Sequence, residues 1–148
     1  MLLYLDTCCF NRPYDDQTQN RIRIETEAKL ALQESVRQKK TTLIWSYILD
    51  FENKYNPFHE RAIAIQLWRD LAVIRVRESE SILETGRELA KLGLKSFDAL
   101  HVACAIAAHA NIFVTTDDAL LRKLRAHSDI IALPPADALA QVENWYEN

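Results

Sequence analysis

Four acidic residues stand where an α/β chain would place chemistry. Asp6 closes the apolar run Leu2-Leu3-Tyr4-Leu5, and Asp117 follows Ile112-Phe113-Val114 through Thr115-Thr116. Short runs rich in branched and aromatic side chains read as buried strands. In an open α/β sheet, ligands bind outside the carboxyl ends of the strands. Two strands that each run into Asp can therefore aim both carboxylates into one crevice. Glu52 lies six residues after Ser46, at the far end of the helix that follows the second strand, and Asp98 falls in the first turn of an apolar helix. Gathered carboxylates repel by ~4 kcal/mol at about 4 Å and an effective dielectric near 20. Such a cluster calls for a cation. Mg²⁺ and Mn²⁺ favour carboxylate and water oxygens, and leave positions for a phosphate and an attacking water.

Each acid also has a purely structural explanation. Asp98 suits a helix N-terminus, Asp117 suits an N-cap, and Glu52 suits a solvated helix face. Asp6 is the hardest to explain that way, because a charge directly behind a buried strand needs a partner.

The elements that must position these residues alternate between strand and helix. Strands are expected at 2–5, 42–45, 72–76, 112–114 and 130–131. Residues 7–20 are polar, contain Pro13, and read as a loop. A helix over 21–38 has apolar positions at Ile22, Ala28, Leu30, Leu32 and Val36, with Arg21, Arg23, Lys29 and Arg37 mostly on the wet side. Ser46 caps a helix over 47–55. A helix over 58–70 offers Ala62, Ile65, Leu67 and Trp68 to the core. Ser81 through Glu84 has capping-box spacing for a helix ending near Leu92, with Gly93 as its C-cap. Asp98 to Ala108 is apolar enough to be buried on most sides. Further helices are expected from Asp117 to about Arg125 and from Pro134-Pro135 to about Tyr146. The pattern is α/β with a parallel sheet covered on both faces.

Length and composition agree with one domain over residues 1–148. Hydrophobic residues form 49% of the 148, and two Gly and four Pro leave no stretch resembling a linker. Asp6 interrupts the first apolar run too early for a signal peptide or membrane span, so a soluble cytoplasmic protein is expected. The three cysteines, an odd number, point to reduced thiols. A net charge of −3 argues against broad electrostatic coating of nucleic acid. It leaves room for a local basic rim, for which Arg12, Lys95, Arg122 and Lys123 are the candidates. Arg125 reads better as part of a solvated face.

Four stretches carry a family resemblance. Leu3-Tyr4-Leu5-Asp6-Thr7, Ser46 through Glu52, Ser96-Phe97-Asp98-Ala99-Leu100-His101-Val102-Ala103 and Val114-Thr115-Thr116-Asp117 resemble, in order and separation, the four signature blocks of PIN domains. The likeness spans residue 2 to about 131. It implies a three-layer α/β/α sandwich with a short, mainly parallel sheet. It also implies a Mg²⁺- or Mn²⁺-dependent ribonuclease, often the toxin of a bacterial toxin–antitoxin pair of the VapC type. Carried over by position, Asp6, Glu52, Asp98 and Asp117 are the catalytic, metal-binding acids, and Thr7 and Thr115 are supporting hydroxyls. An RNA substrate, a homodimer and an antitoxin that fills the acidic groove are implied with them.

The chain departs from the family at Cys8, where many members have Asn. A thiol is a poor Mg²⁺ ligand, so Cys8 is expected to pack, and Asn11 is the nearest substitute amide. His101, three residues after Asp98, reads either as a partner of that carboxyl or as a core residue. Competing functional readings are a catalytically silent module that binds protein, a nuclease acting on single-stranded DNA, and a metal-dependent phosphatase. A zinc site built from His101, Cys104 and Cys8 or Cys9 is a further alternative, without the usual ligand spacing.

Overall fold

Leu3, Tyr4 and Leu5 are all fully buried, as are Ile112, Phe113 and Val114. Successive strand side chains point to opposite faces, so both faces of the sheet are covered. The computed structural model describes residues 1–127 and 130–147. Its five parallel strands are β1 (Leu2–Leu5), β2 (Thr42–Ser46), β3 (Ile74–Val76), β4 (Ile112–Val114) and β5 (Ala132–Leu133). They lie in the order β3-β2-β1-β4-β5. Among the described residues eight α-helices accompany them: α1 (Thr7–Asn11), α2 (Asn20–Arg37), α3 (Tyr47–Lys54), α4 (His59–Leu71), α5 (Glu80–Lys91), α6 (Ser96–Ala107), α7 (Asp118–His127) and α8 (Pro135–Val142). The expected fold class is the one found. No helix among the described residues is long and apolar enough to cross a membrane.

From β1 the chain steps outward through β2 to β3, then returns to the other side of β1 as β4 and moves out to β5. The carboxyl ends of β1 and β4 therefore flank the point where the winding reverses. Leu5 is in register with Val114, and the ladder continues one residue further through Asp6 N–H to the Val114 carbonyl at 2.9 Å.

Several expectations are corrected. The stretch after Asp6 is not a loop: Asp6 caps the short α1, and Arg12–Tyr14 adds a 3₁₀ turn. The α5 helix is capped by Ser79, whose Oγ accepts from Ile82 N–H at 3.2 Å, and not by Ser81. The last strand is Ala132–Leu133, two residues beyond the isoleucine pair, because pairing with Phe113 and Val114 sets its register. The α8 helix stops at Val142. There Asn144 takes φ 55°, and Trp145 N–H and Asn144 N–H reach back to the Ala140 and Gln141 carbonyls, a Schellman closure. Trp145 and Tyr146 lie beyond it, exposed. Gly93, with φ 100°, closes α5 in the same way, as its position suggests.

Two helix faces are also reassigned. Leu67 of α4 is exposed, and Trp68 only partly covered. On α2 the buried positions are Glu25, Thr26, Ala28, Lys29, Leu32, Gln33 and Val36. Spacings of three and four make two adjacent lanes. One is apolar (Ala28, Leu32, Val36) and the other polar (Glu25, Lys29, Gln33). Lys29, expected in water, is buried, and Leu30, expected inside, is exposed.

Candidate active site

Asp6 is buried at the reversal point of the sheet. Its Oδ1 accepts from Thr7 N–H at 2.8 Å, which caps α1. Its Oδ2 accepts from the Thr115 hydroxyl at 2.8 Å. Thr115 follows β4 directly and is fully buried, and its Oγ1 also accepts from Asp117 N–H at 3.2 Å. Asp117 in turn caps α7 through Leu120 N–H at 3.1 Å. One hydroxyl thus ties the turn after β1 to the turn after β4.

Asp98, in the first turn of α6, is half-buried. Burial holds its carboxyl above the usual range, and the charges of Asp6 and Asp117 push it the same way against the weaker pull of His101 and Lys95. Asp6, Asp98 and Asp117 therefore share one electrostatic neighbourhood although they come from three separate segments.

Glu52, at the end of α3, arrives from the β2 side. Its Oε1 accepts from the Thr7 hydroxyl at 2.9 Å and is hydrogen-bonded to His101 Nε2. Burial alone would raise this carboxyl, but hydrogen bonding to His101, its electrostatic pull and the Thr7 contact lower it. His101 is buried, and its Nε2 lies 3.7 Å from Asp6 Oδ1. Its other ring nitrogen meets the Tyr4 hydroxyl at 2.6 Å, which meets Ser46 Oγ at 2.6 Å. Ser46 caps α3 as expected, accepting from Leu49 N–H at 3.2 Å. A continuous chain Ser46–Tyr4–His101–Glu52–Thr7 thus orients Glu52. Of the two readings for His101, partner of Asp98 or satisfied core residue, the second fits: it is buried, and its hydrogen-bonded carboxylate is Glu52.

Cys8 does more than pack. Its Sγ lies 3.5 Å from Asp6 Oδ2 and 3.4 Å from Thr115 Oγ1, and it accepts from Thr116 N–H at 3.4 Å. Asn11 is turned away, donating to the Thr7 carbonyl and accepting from Asn56. The other thiols are committed elsewhere. Cys9 donates to the Val114 carbonyl, and Cys104 is buried beside Ser46, where burial pushes its thiol up to about 12. That separation removes the ligands of the zinc alternative.

The basic candidates divide. Arg12 is bound to Glu25 through Nε and Nη2 at 3.1 and 2.8 Å and to Asp15 through Nη1 at 3.1 Å. Lys123 Nζ donates to the Gly93 carbonyl at 2.8 Å. Lys95 precedes α6 and is exposed, as is Arg122 on α7. Arg21, not singled out in the sequence, forks onto Asp118 at 2.7 and 2.8 Å and so fastens α2 to the start of α7. A separation of 97 residues leaves no local signal for that pair.

Among the described residues no three His, Cys, Asp or Glu side chains stand as a ready-made metal cage. The donor chemistry nevertheless fits a hard divalent ion: Asp6, Asp98 and Asp117 offer only oxygen, and the Asp98 carboxyl, raised first by burial, is raised further by the charges of Asp6 and Asp117, a repulsion that a cation would relieve.

Known proteins resemble the chain in sequence pattern and fold. A family model described as "PIN domain" matches residues 3–126. No curated protein matches in sequence. Among solved structures, VapBC2 from Rickettsia felis bound to a DNA fragment from their promoter aligns with TM-score 0.57 at 16% identity, over 90% of this chain and 98% of that one. VapBC-1 from nontypeable Haemophilus influenzae aligns with TM-score 0.58 at 16% identity, covering 92% and 99%. PAE2754 from Pyrobaculum aerophilum aligns with TM-score 0.57 at 15% identity, covering 97% and 96%.

Proposed function

The chain belongs to the PIN-domain family, and from that premise we propose that it is a Mg²⁺- or Mn²⁺-dependent endoribonuclease, the toxin partner of a toxin–antitoxin pair. The observation that supports this most directly is the shared neighbourhood of Asp6, Asp98 and Asp117 at the sheet reversal, with Asp98 under repulsion from the other two. Two of the solved structures that share the fold are VapBC assemblies, which supports an antitoxin as partner.

Asp6, Asp98 and Asp117 are the residues that would hold the ion, with Glu52 beside them. When bound, the ion supplies Lewis-acid polarisation of the phosphate and a more acidic water. The protein's own groups do the positioning. Thr115 fixes the Asp6 carboxyl, the Ser46–Tyr4–His101 chain and Thr7 fix Glu52, and the cap of α7 fixes Asp117. Single-stranded RNA is the fitting substrate class, since its exposed backbone enters such a site most readily. Lys95 and Arg122, both exposed, are the basic residues assigned here to meet its phosphates.

The test is cleavage of single-stranded RNA with Mn²⁺ and with EDTA, in wild type and Asp98→Asn, with single-stranded DNA as a parallel substrate. Mn²⁺-dependent RNA cleavage leaving 5′-phosphate ends, abolished in Asp98→Asn, is expected. RNA cleavage undiminished by EDTA or by the substitution would refute the reading, and preference for DNA would refute its substrate assignment.

A further inference from the structure

The polar lane of α2 passes from a satisfied end to an unsatisfied one. Glu25 is bound by Arg12 at 2.8 Å and approached by Arg21 at 3.5 Å. One turn on, Lys29 is only 4% exposed and has no carboxylate or carbonyl partner among the described residues; its ammonium lies 5.5 Å from the centre of the Phe10 ring. A turn further, Gln33 is 2% exposed and its Nε2 has no hydrogen-bond partner. Buried polar groups are nearly always paired, and here an unpartnered buried amide follows one turn after a largely buried ammonium that has no counter-charge among the described residues.

Both line the same cavity. It measures about 200 Å³ and lies between α2, α4 and the segment following Asp6. Arg37 also lines it, its guanidinium 5.0 Å from the Trp68 ring, and Phe10, Tyr14 and Trp68 supply aromatic walls. No acidic side chain lines it among the described residues. Burial pushes the Lys29 ammonium down only to about 8, so it is charged at neutral pH.

We propose that this cavity is a carboxylate-binding site, in which the Lys29 ammonium and Gln33 Nε2 receive the anion and the aromatic walls hold an apolar body. The set of donors calls for an acceptor bearing negative charge. The volume, below the roughly 300 Å³ where pockets for drug-sized ligands begin, limits the body to about one side chain or a small aromatic acid. The site shares no residue with the acid cluster, so it stands or falls independently of the nuclease reading.

The experiment is calorimetric titration of the full chain with phenylacetate and with phenylacetamide, which has the same body without the charge. A second arm titrates a capped peptide with one Glu flanked by leucines against its Gln counterpart. Phenylacetate is expected to bind at least about tenfold more tightly than the amide. Lys29→Met and Gln33→Leu, with folding confirmed by circular dichroism, are each expected to lose about tenfold or more. The acid–amide comparison needs no variant, so it stands if either substitution unfolds the protein. A stronger, Lys29-dependent response to the Glu peptide assigns the carboxylate to a partner protein, and a stronger response to phenylacetate assigns it to a small organic acid. Equal binding of acid and amide, no binding in either arm, or full binding by folded Lys29→Met would overturn the assignment.

Discussion

Asp6 answers for its own burial. A carboxyl directly behind a buried strand needs partners, and it has them in Thr7 N–H, the Thr115 hydroxyl and Cys8 Sγ. Thr115 is the sensitive member, because its hydroxyl also accepts from Asp117 N–H and so sets two acids at once. Thr115→Val keeps the shape and removes that link. We expect Mn²⁺-dependent RNA cleavage to fall by about 10–100-fold, as when a ligand loses its supporting hydrogen bond, while circular dichroism shows the fold intact. Wild-type cleavage rates in folded Thr115→Val would remove Thr115 from the site. The four acids of the proposed site were singled out by position along the chain. The partner of His101 was not, because i+3 spacing on α6 says nothing about Tyr4 and Ser46, which arrive from β1 and β2 and fix the ring.

At the scale of the element, α2 shows how periodicity can place a helix and misjudge its face. Its bounds followed from helix-forming residues, but Leu30 and Lys29 exchanged roles because the buried stripe includes a polar lane that a hydrophobic pattern does not register. A similar limit hid α1, whose five residues are too few to show a period, and the end of α8, where a left-handed Asn144 did the work usually read from Gly. The polar lane has a measurable consequence. Lys29 titrates near 8 in the folded protein against 10.5 unfolded. Between those values the unfolded chain retains a proton that the folded chain has released, so stability rises as pH rises from about 8 to 10.5. Below pH 8 the full penalty of burying the charge is present, roughly 3 kcal/mol. Lys29→Met is therefore expected to be more stable than wild type at pH 7 by up to about 3 kcal/mol, with the advantage shrinking towards pH 10. Urea denaturation of both proteins at the two pH values measures this. An advantage that does not change with pH would show that the Lys29 charge is not its source.

The whole molecule joins these scales through topology. Order β3-β2-β1-β4-β5 puts the ends of β1 and β4 side by side, and α3 and α6 deliver Glu52 and Asp98 to the same edge. Alternation of strands and helices made a parallel sheet legible, whereas strand order and the two-residue offset of β5 depended on pairing partners far away in the chain. Gathering three acids makes stability depend on pH and on cations. The Asp98 carboxyl is raised in the folded protein, so its contribution is favourable at low pH and is lost as pH rises through its folded value. At pH 7 without metal the cost of burying the Asp98 charge and its repulsion by Asp6 and Asp117 are both present, and Asp98→Asn is expected to melt above wild type. Addition of Mn²⁺ should reverse the order. A ligand that binds only the folded state stabilises it by about 2.7 kcal/mol at a hundred times its Kd, and Asp98→Asn should gain much less at the same concentration. Thermal melts in EDTA and in Mn²⁺ measure both effects. An equal Mn²⁺ shift in the two proteins would mean that the ion does not bind at Asp98, even if the family fold were otherwise intact.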